Sequence, residues 1–151
     1  MNGSGNGLKG VVLDETRIAL IDGEAGKLVY RGYNIHDLAQ HATFEEVSYL
    51  LLHGALPSRA ELSAFDADLK AGRAVPEPVI EIIDRVKAAH PMDILRTAVS
   101  AAAALDESSD DASAAVALPV GQRLIAQVAT IVAAMHRLRG GHDPVAPRDD
   151  L

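Results

Sequence analysis

Chemistry needs groups that can move a proton, hold a metal or attack a carbon, so the six histidines of this chain come first. His36, His41 and His53 stand at helix ends or polar positions. A basic ring near a helix C-terminus is favoured by the helix dipole, which suits His53. All three read as surface or capping residues. His90 precedes Pro91, and a residue before proline is biased towards an extended backbone. It reads as a buried hydrogen-bonding group between two helices, because acid–base work needs an orienting partner and none is visible. His136 and His142, with Asp143 and Asp149, could be drawn as a metal site. Their spacing crosses Gly140-Gly141 and matches no pattern such as two histidines four apart on one helix, so a solvated tail is the better reading.

Other reactive groups are equally sparse. The chain has no cysteine, so it has no thiol nucleophile, thiolate metal site or disulfide framework. Asp110-Asp111 and Asp149-Asp150 read as solvated loop charge rather than a preorganised carboxylate pair. The string GNGLKG at 5–10 satisfies the dinucleotide fingerprint literally. That fingerprint requires a strand before it and a helix after it, and so close to the first residue a flexible segment is expected instead. A strained G-x-S-x-G elbow and a phosphate-binding P-loop are both missing from the sequence. The residues by themselves assign no catalytic, cofactor-binding or metal-ligating position.

Composition narrows the partners. A length of 151 residues fits one domain with room for a real core. The formal net charge is −7 with no cluster of Lys and Arg, so nucleic acid is not an expected partner. The opening MNGSGNGLKG lacks the charged and apolar regions of a signal peptide. Polar residues interrupt the apolar stretches before about 18 positions, so no membrane span is expected. A cytoplasmic location suits these features.

The elements that would position any site are mostly helical. Residues 1–7 read as a flexible tail. The runs 15–21 and 27–31 are strand-like and are joined by DGEAG, which predicts a β-hairpin within a segment 8–33. Such a hairpin is only marginally stable alone and must pack on something. A helical domain is expected over 34–140. Thr43 and Glu46 form a capping box, followed by an apolar face of Phe44, Val47 and Leu51, with Gly54 and Pro57 as the stop. Ser58 and Glu61 form a second box ahead of Leu62, Phe65 and Leu69, and Gly72 ends that helix. Pro76 and Pro78 open a third helix with an apolar stripe of Val79, Ile82, Ile83 and Val86.

Pro91 starts a fourth helix, where its missing N–H costs nothing, and small residues at 98 and 100–104 would admit a close neighbour. An acidic loop is expected over 106–113. A fifth helical region spans about 113–138, with Pro119 and Gly121 breaking or kinking its early part. Its later face is Leu124, Val128, Ile131, Val132 and Met135. Residues 141–151 read as a connector.

Several blocks in order then carry a resemblance. They are GLKGV, IDGEAGKLVYRGYNIHDL, FEEVSYLLLHGALPSRAEL and HPMDILRTAVS, closing on RGGHDPVAPRDDL. Together they are similar to the N-terminal portion of the citrate synthase family, which includes the 2-methylcitrate synthases. The resemblance implies a mostly α fold, a helical bundle like the N-terminal part of that family's large domain, fronted by the small hairpin. It also implies the family's reaction, in which an acyl-CoA, acetyl-CoA or propionyl-CoA, condenses with oxaloacetate. In the family a histidine and an aspartate enolise the thioester, a second histidine assists attack on the keto carbon, and arginines hold the carboxylates. Those groups lie further along the family's chain. The His of RGGHD follows its glycines and does not match the family's catalytic motif. No position here is therefore matched to a catalytic role, and no cofactor is expected on this chain alone. A second chain carrying the C-terminal half, or self-association, is the expected partner. The other reading is a non-catalytic helical interaction or regulatory module derived from citrate synthase.

Overall fold

The computed structural model describes residues 15–106 and 113–148. The expected tail 1–7, the GNGLKG string, the GLKGV block, Asp110-Asp111, most of the acidic loop and Asp149-Asp150 lie outside the described residues. The described residues form three short strands and six helices, so the expected mostly α class is correct. The chain divides into two compact units, one up to Ser58 and one from Arg59 onwards.

In the first unit, β1 (Ala19–Asp22), β2 (Lys27–Tyr30) and β3 (Tyr33–Asn34) make an antiparallel sheet in sequence order. Ala19 pairs with Tyr30 and Asp22 with Lys27, so the expected hairpin is present. Its loop is tied by the Asp22 carboxylate, which accepts from the Ala25 N–H at 3.0 Å. The third strand was not expected. Arg31 and Gly32 have φ of 48° and 95°, the paired positive values of the tight turn that joins twisted strands through two residues. That turn sends the chain straight back, and Tyr30 pairs with Tyr33.

Helix α1 (Ile35–His41) follows at once and packs on β2 and β3, which supplies the support a small sheet requires. Asn34 caps it through its side-chain oxygen. Helix α2 (Phe44–His53) begins with the expected capping box. The Glu46 N–H donates to Thr43 Oγ1 at 3.2 Å and the Thr43 N–H donates to Glu46 Oε2 at 2.7 Å. Gly54 ends it in the left-handed region. The expected inward face needs correction. Phe44 is 67% exposed, whereas Leu50 is fully buried, with Ser48 beside it in the buried set. The inward direction is set about one residue round from the predicted stripe.

The second unit holds the main core. Helix α3 (Arg59–Ala71) buries Phe65 and Leu69, as the spacing predicts. Helix α4 (Glu77–Val86) carries Pro78 in its first turn, where no N–H is needed. Helix α5 (Pro91–Ala104) starts on Pro91, and α6 (Ala114–Arg139) is the longest element described. Val79 and Ile83 of α4, Ile94 and Ala98 of α5, and Ile131 and Met135 of α6 form one buried cluster. Fully burying each large aliphatic side chain contributes roughly 1.5–3 kcal/mol. Ala98 is part of that cluster, and Ala101 and Ala102 pack against it.

Helix α6 departs from expectation three times. The break at Pro119 that the sequence offered as one alternative does not occur, and proline there removes one hydrogen bond without dividing the helix. Leu124 and Val132 face outward, while Ala126 and Ala134 are buried with Ile131 and Met135. Because it is unbroken, Ala115–Arg139 is also long and apolar enough, by length and composition, to cross a membrane, contrary to the sequence expectation. The interrupting polar residues are too few to lower its average hydropathy. Only 11% of that stretch is buried, although Ile131 and Met135 of α6 join the core shared with α4 and α5.

Candidate functional site

The histidines are dispersed over separate elements. His36 lies in the first turn of α1 and His41 is its last residue; both are exposed. His53 ends α2 and stacks on Tyr49, one helical turn earlier, with ring centroids 4.1 Å apart. His136 and His142 flank the end of α6 on the surface, and Asp143 is exposed beside them. Among the described residues, no three His, Cys, Asp or Glu side chains stand together as a metal site would require.

His90 requires a correction. It is exposed, not buried between helices. Its backbone is extended (φ −62°, ψ 137°), as proline at 91 dictates, and its Nδ1 accepts the Met92 N–H at 3.2 Å. The ring is thus the N-cap of α5, satisfying one of the free donors at a helix start. Accepting at Nδ1 places the ring proton on Nε2 in the neutral form.

Two arginine contacts had no signal in local spacing. Arg123 of α6 pairs with Asp106, just past α5, at the edge of a cavity of about 180 Å³. Val99, Ala102, Val120 and Leu124 are among the side chains that line it. Seventeen residues separate the two ions, and only the packing of α5 against α6 brings them together. In the first unit, Arg31 Nη2 donates to the Leu51 carbonyl at 2.9 Å. Leu51 is in the last turn of α2, where carbonyls lack helical partners, so the guanidinium closes that end. Arg31 Nε is buried without a hydrogen-bond partner.

A second, larger cavity of about 350 Å³ lies where residues 144–147 pass over Val75, Ile80, Thr130 and Ala134. Its lining is mostly apolar, with Glu77 as the charged member. Neither cavity combines a nucleophile with a base, or a base with an orienting group, in the manner that acid–base or covalent catalysis requires. What the arrangement does provide is a set of positioned helices.

Those helices have close counterparts. The family model described as "Citrate synthase, C-terminal domain" matches residues 7–151, and the chain belongs to the citrate synthase family. Citrate synthase of Deinococcus radiodurans is 43% identical over 152 residues, covering 100% of this chain and 40% of its own. A 2-methylcitrate synthase of Mycobacterium tuberculosis is 40% identical over 146 residues, covering 96% of this chain and 37% of its own. The crystal structure of citrate synthase from Pyrobaculum aerophilum superposes with a TM-score of 0.90 at 39% identity, over 96% of this chain and 39% of that one. A ternary complex of carboxymethyl coenzyme A and oxaloacetate with the Thermoplasma acidophilum enzyme gives 0.84 at 28% identity, over 93% of this chain and 38% of that one. The chain therefore spans about 40% of the length of the curated relatives it matches.

Proposed function

We propose that this chain is the N-terminal helical portion of a citrate synthase-like enzyme, which condenses acetyl-CoA or propionyl-CoA with oxaloacetate. Its contribution is scaffold. The histidines and aspartate that enolise the thioester and direct attack on the keto carbon come from the remaining part of the fold, supplied by further polypeptide or a second chain. On this reading the chain by itself binds no cofactor and turns over no substrate, and it works in the cytoplasm. The observation that carries the proposal is the pairing of two coverages, nearly the whole of this chain against 39% of a synthase that it matches at a TM-score of 0.90. The dispersal of its histidines over separate elements supports it.

The test is release of CoA thiol from acetyl-CoA in the presence of oxaloacetate. The purified chain alone is expected to give none. Mixed with a polypeptide carrying the remaining portion of a citrate synthase, it is expected to give turnover, and replacing acetyl-CoA with propionyl-CoA then reads the acyl preference. Turnover by the chain alone would overturn the proposal.

A second reading is a non-catalytic helical interaction or regulatory module. It is favoured by the exposure of Met92, Leu105, Leu124 and Val132 on α5 and α6 and the residue that follows α5. Exposed large apolar side chains mark surfaces that associate. Failure of every complementing chain to restore turnover, with retained binding to a full-length synthase, would favour it.

A further inference from the structure

Residues 142–148 run from the end of α6 back across the cavity beside the loop between α3 and α4. The turn that starts this path is well anchored. Gly141 adopts φ 76°, and the His142 N–H donates to the Arg137 carbonyl at 3.0 Å. Beyond it the attachment changes in kind. Among the described residues, no backbone–backbone hydrogen bond joins residues 143–148 to any other part of the protein. Pro144 and Pro147 have no N–H to offer. Side chains reach the segment instead, arginines among them. Arg137 Nε donates to the Asp143 carbonyl at 2.5 Å, and Arg73 Nη1 donates to the Arg148 carbonyl at 3.2 Å. One grips each end.

Between the two grips the segment lies over an apolar floor without filling it. Val145 is 62% exposed, and a cavity of about 350 Å³ persists between the segment and Val75, Ile80, Thr130 and Ala134. A covering element with few apolar contacts and no ladder of hydrogen bonds belongs to the low-stability end of a structure, where local opening occurs without global unfolding.

We propose that residues 143–148 are a hinged strap, pivoting just past the anchored turn at residues 140–142 and held shut over the α3–α4–α6 groove by Arg73 and Arg137. The groove's own occupant is this strap. Opening it bares Ala134, which is 4% exposed when the strap is closed, together with its apolar neighbours. The strap is independent of the catalytic reading above and stands or falls separately.

The sequence offers a clean probe, because it contains no cysteine. Ala134→Cys places a single thiol on the groove floor of the full chain, and its rate of reaction with a water-soluble disulfide reagent reads strap opening. Ala98→Cys, in the core between α4, α5 and α6, reads global unfolding. Adding Arg73→Ala or Arg137→Ala to the Ala134→Cys chain is expected to speed labelling about fivefold each, the effect of losing one hydrogen bond of ordinary net strength. Labelling of the Ala98→Cys chain is expected to stay unchanged. The proposal is overturned if the floor thiol labels at the same rate in all chains, or if both thiols accelerate together.

Discussion

Arg139 Nη1 lies 2.6 Å from the carbonyl oxygen of Ala89, fifty residues earlier, and 3.2 Å from that of Lys87. One guanidinium thus ties the last turn of α6 to the link between α4 and α5. That link has little regular structure of its own, and its carbonyls would otherwise rely on water. Arg139→Ala is expected to lower the unfolding free energy by about 1 kcal/mol, the scale of an exposed charge-assisted hydrogen bond. Arg139→Lys keeps the charge but loses the fork, so it should recover only part of this. Urea denaturation followed by circular dichroism measures both.

His90 caps α5. His90→Ala is expected to destabilise by about 0.5–1 kcal/mol, while His90→Asp or His90→Asn should restore or exceed the original stability, since both are preferred N-cap residues. If Asp and Asn lose as much as Ala, the ring acts through packing and the capping account fails.

The reciprocal cap of α2 gives a second local test. Thr43→Ala removes the acceptor used by the Glu46 N–H and leaves the Glu46 side chain to hold its half alone. A loss of about 1 kcal/mol is expected. Glu46→Gln, which keeps the acceptor, should cost less than Glu46→Ala.

The core of the second unit should be far less tolerant. Ile83 and Ile131 are fully buried on facing helices. Ile83→Ala or Ile131→Ala is expected to cost roughly 2–5 kcal/mol, part from lost transfer energy and part from the cavity left behind. Ile83→Val should cost about 0.5–1.5 kcal/mol. Thermal melts rank the three variants.

The outward apolar residues predict association. The chain is expected to form dimers or larger species as its concentration rises, and Leu124→Glu should shift the balance towards monomer. Sedimentation velocity across a concentration series decides it. A stable, folded monomer throughout would remove the case for an associating surface.

What could be read from the sequence follows from how locally each feature is encoded. Thr43 with Glu46, Gly54 after α2, and Pro91 at the start of α5 act on backbone groups within a turn of themselves, and all are found where their chemistry places them. The inward face of α2 was less legible. Val47 and Leu51 share a stripe with either Phe44 or Leu50, and only packing beyond the helix selects Leu50. Strand β3 is two residues long and was announced only by the glycine after Arg31. The extended backbone of His90 follows locally from Pro91 and is legible in the sequence, whereas its exposure depends on neighbouring helices. The arginine contacts to Ala89, Asp106 and Leu51 join positions too far apart for spacing to reveal. The candidate chemistry was legible only through the resemblance to citrate synthases, since the histidines stand on separate elements and their spacing carries no signal of a reaction.

The length of α6 has a mechanical consequence. At about 1.5 Å per residue, this 26-residue helix is a rod of roughly 39 Å. The Asp106–Arg123 pair and the Arg139 tie sit on it about 24 Å apart along its axis. Perturbations at that separation, with no shared neighbour, should add to within about 0.5 kcal/mol. The helix is thus a ruler with two independent handles, and an Arg123→Ala, Arg139→Ala double variant should lose the sum of the single losses.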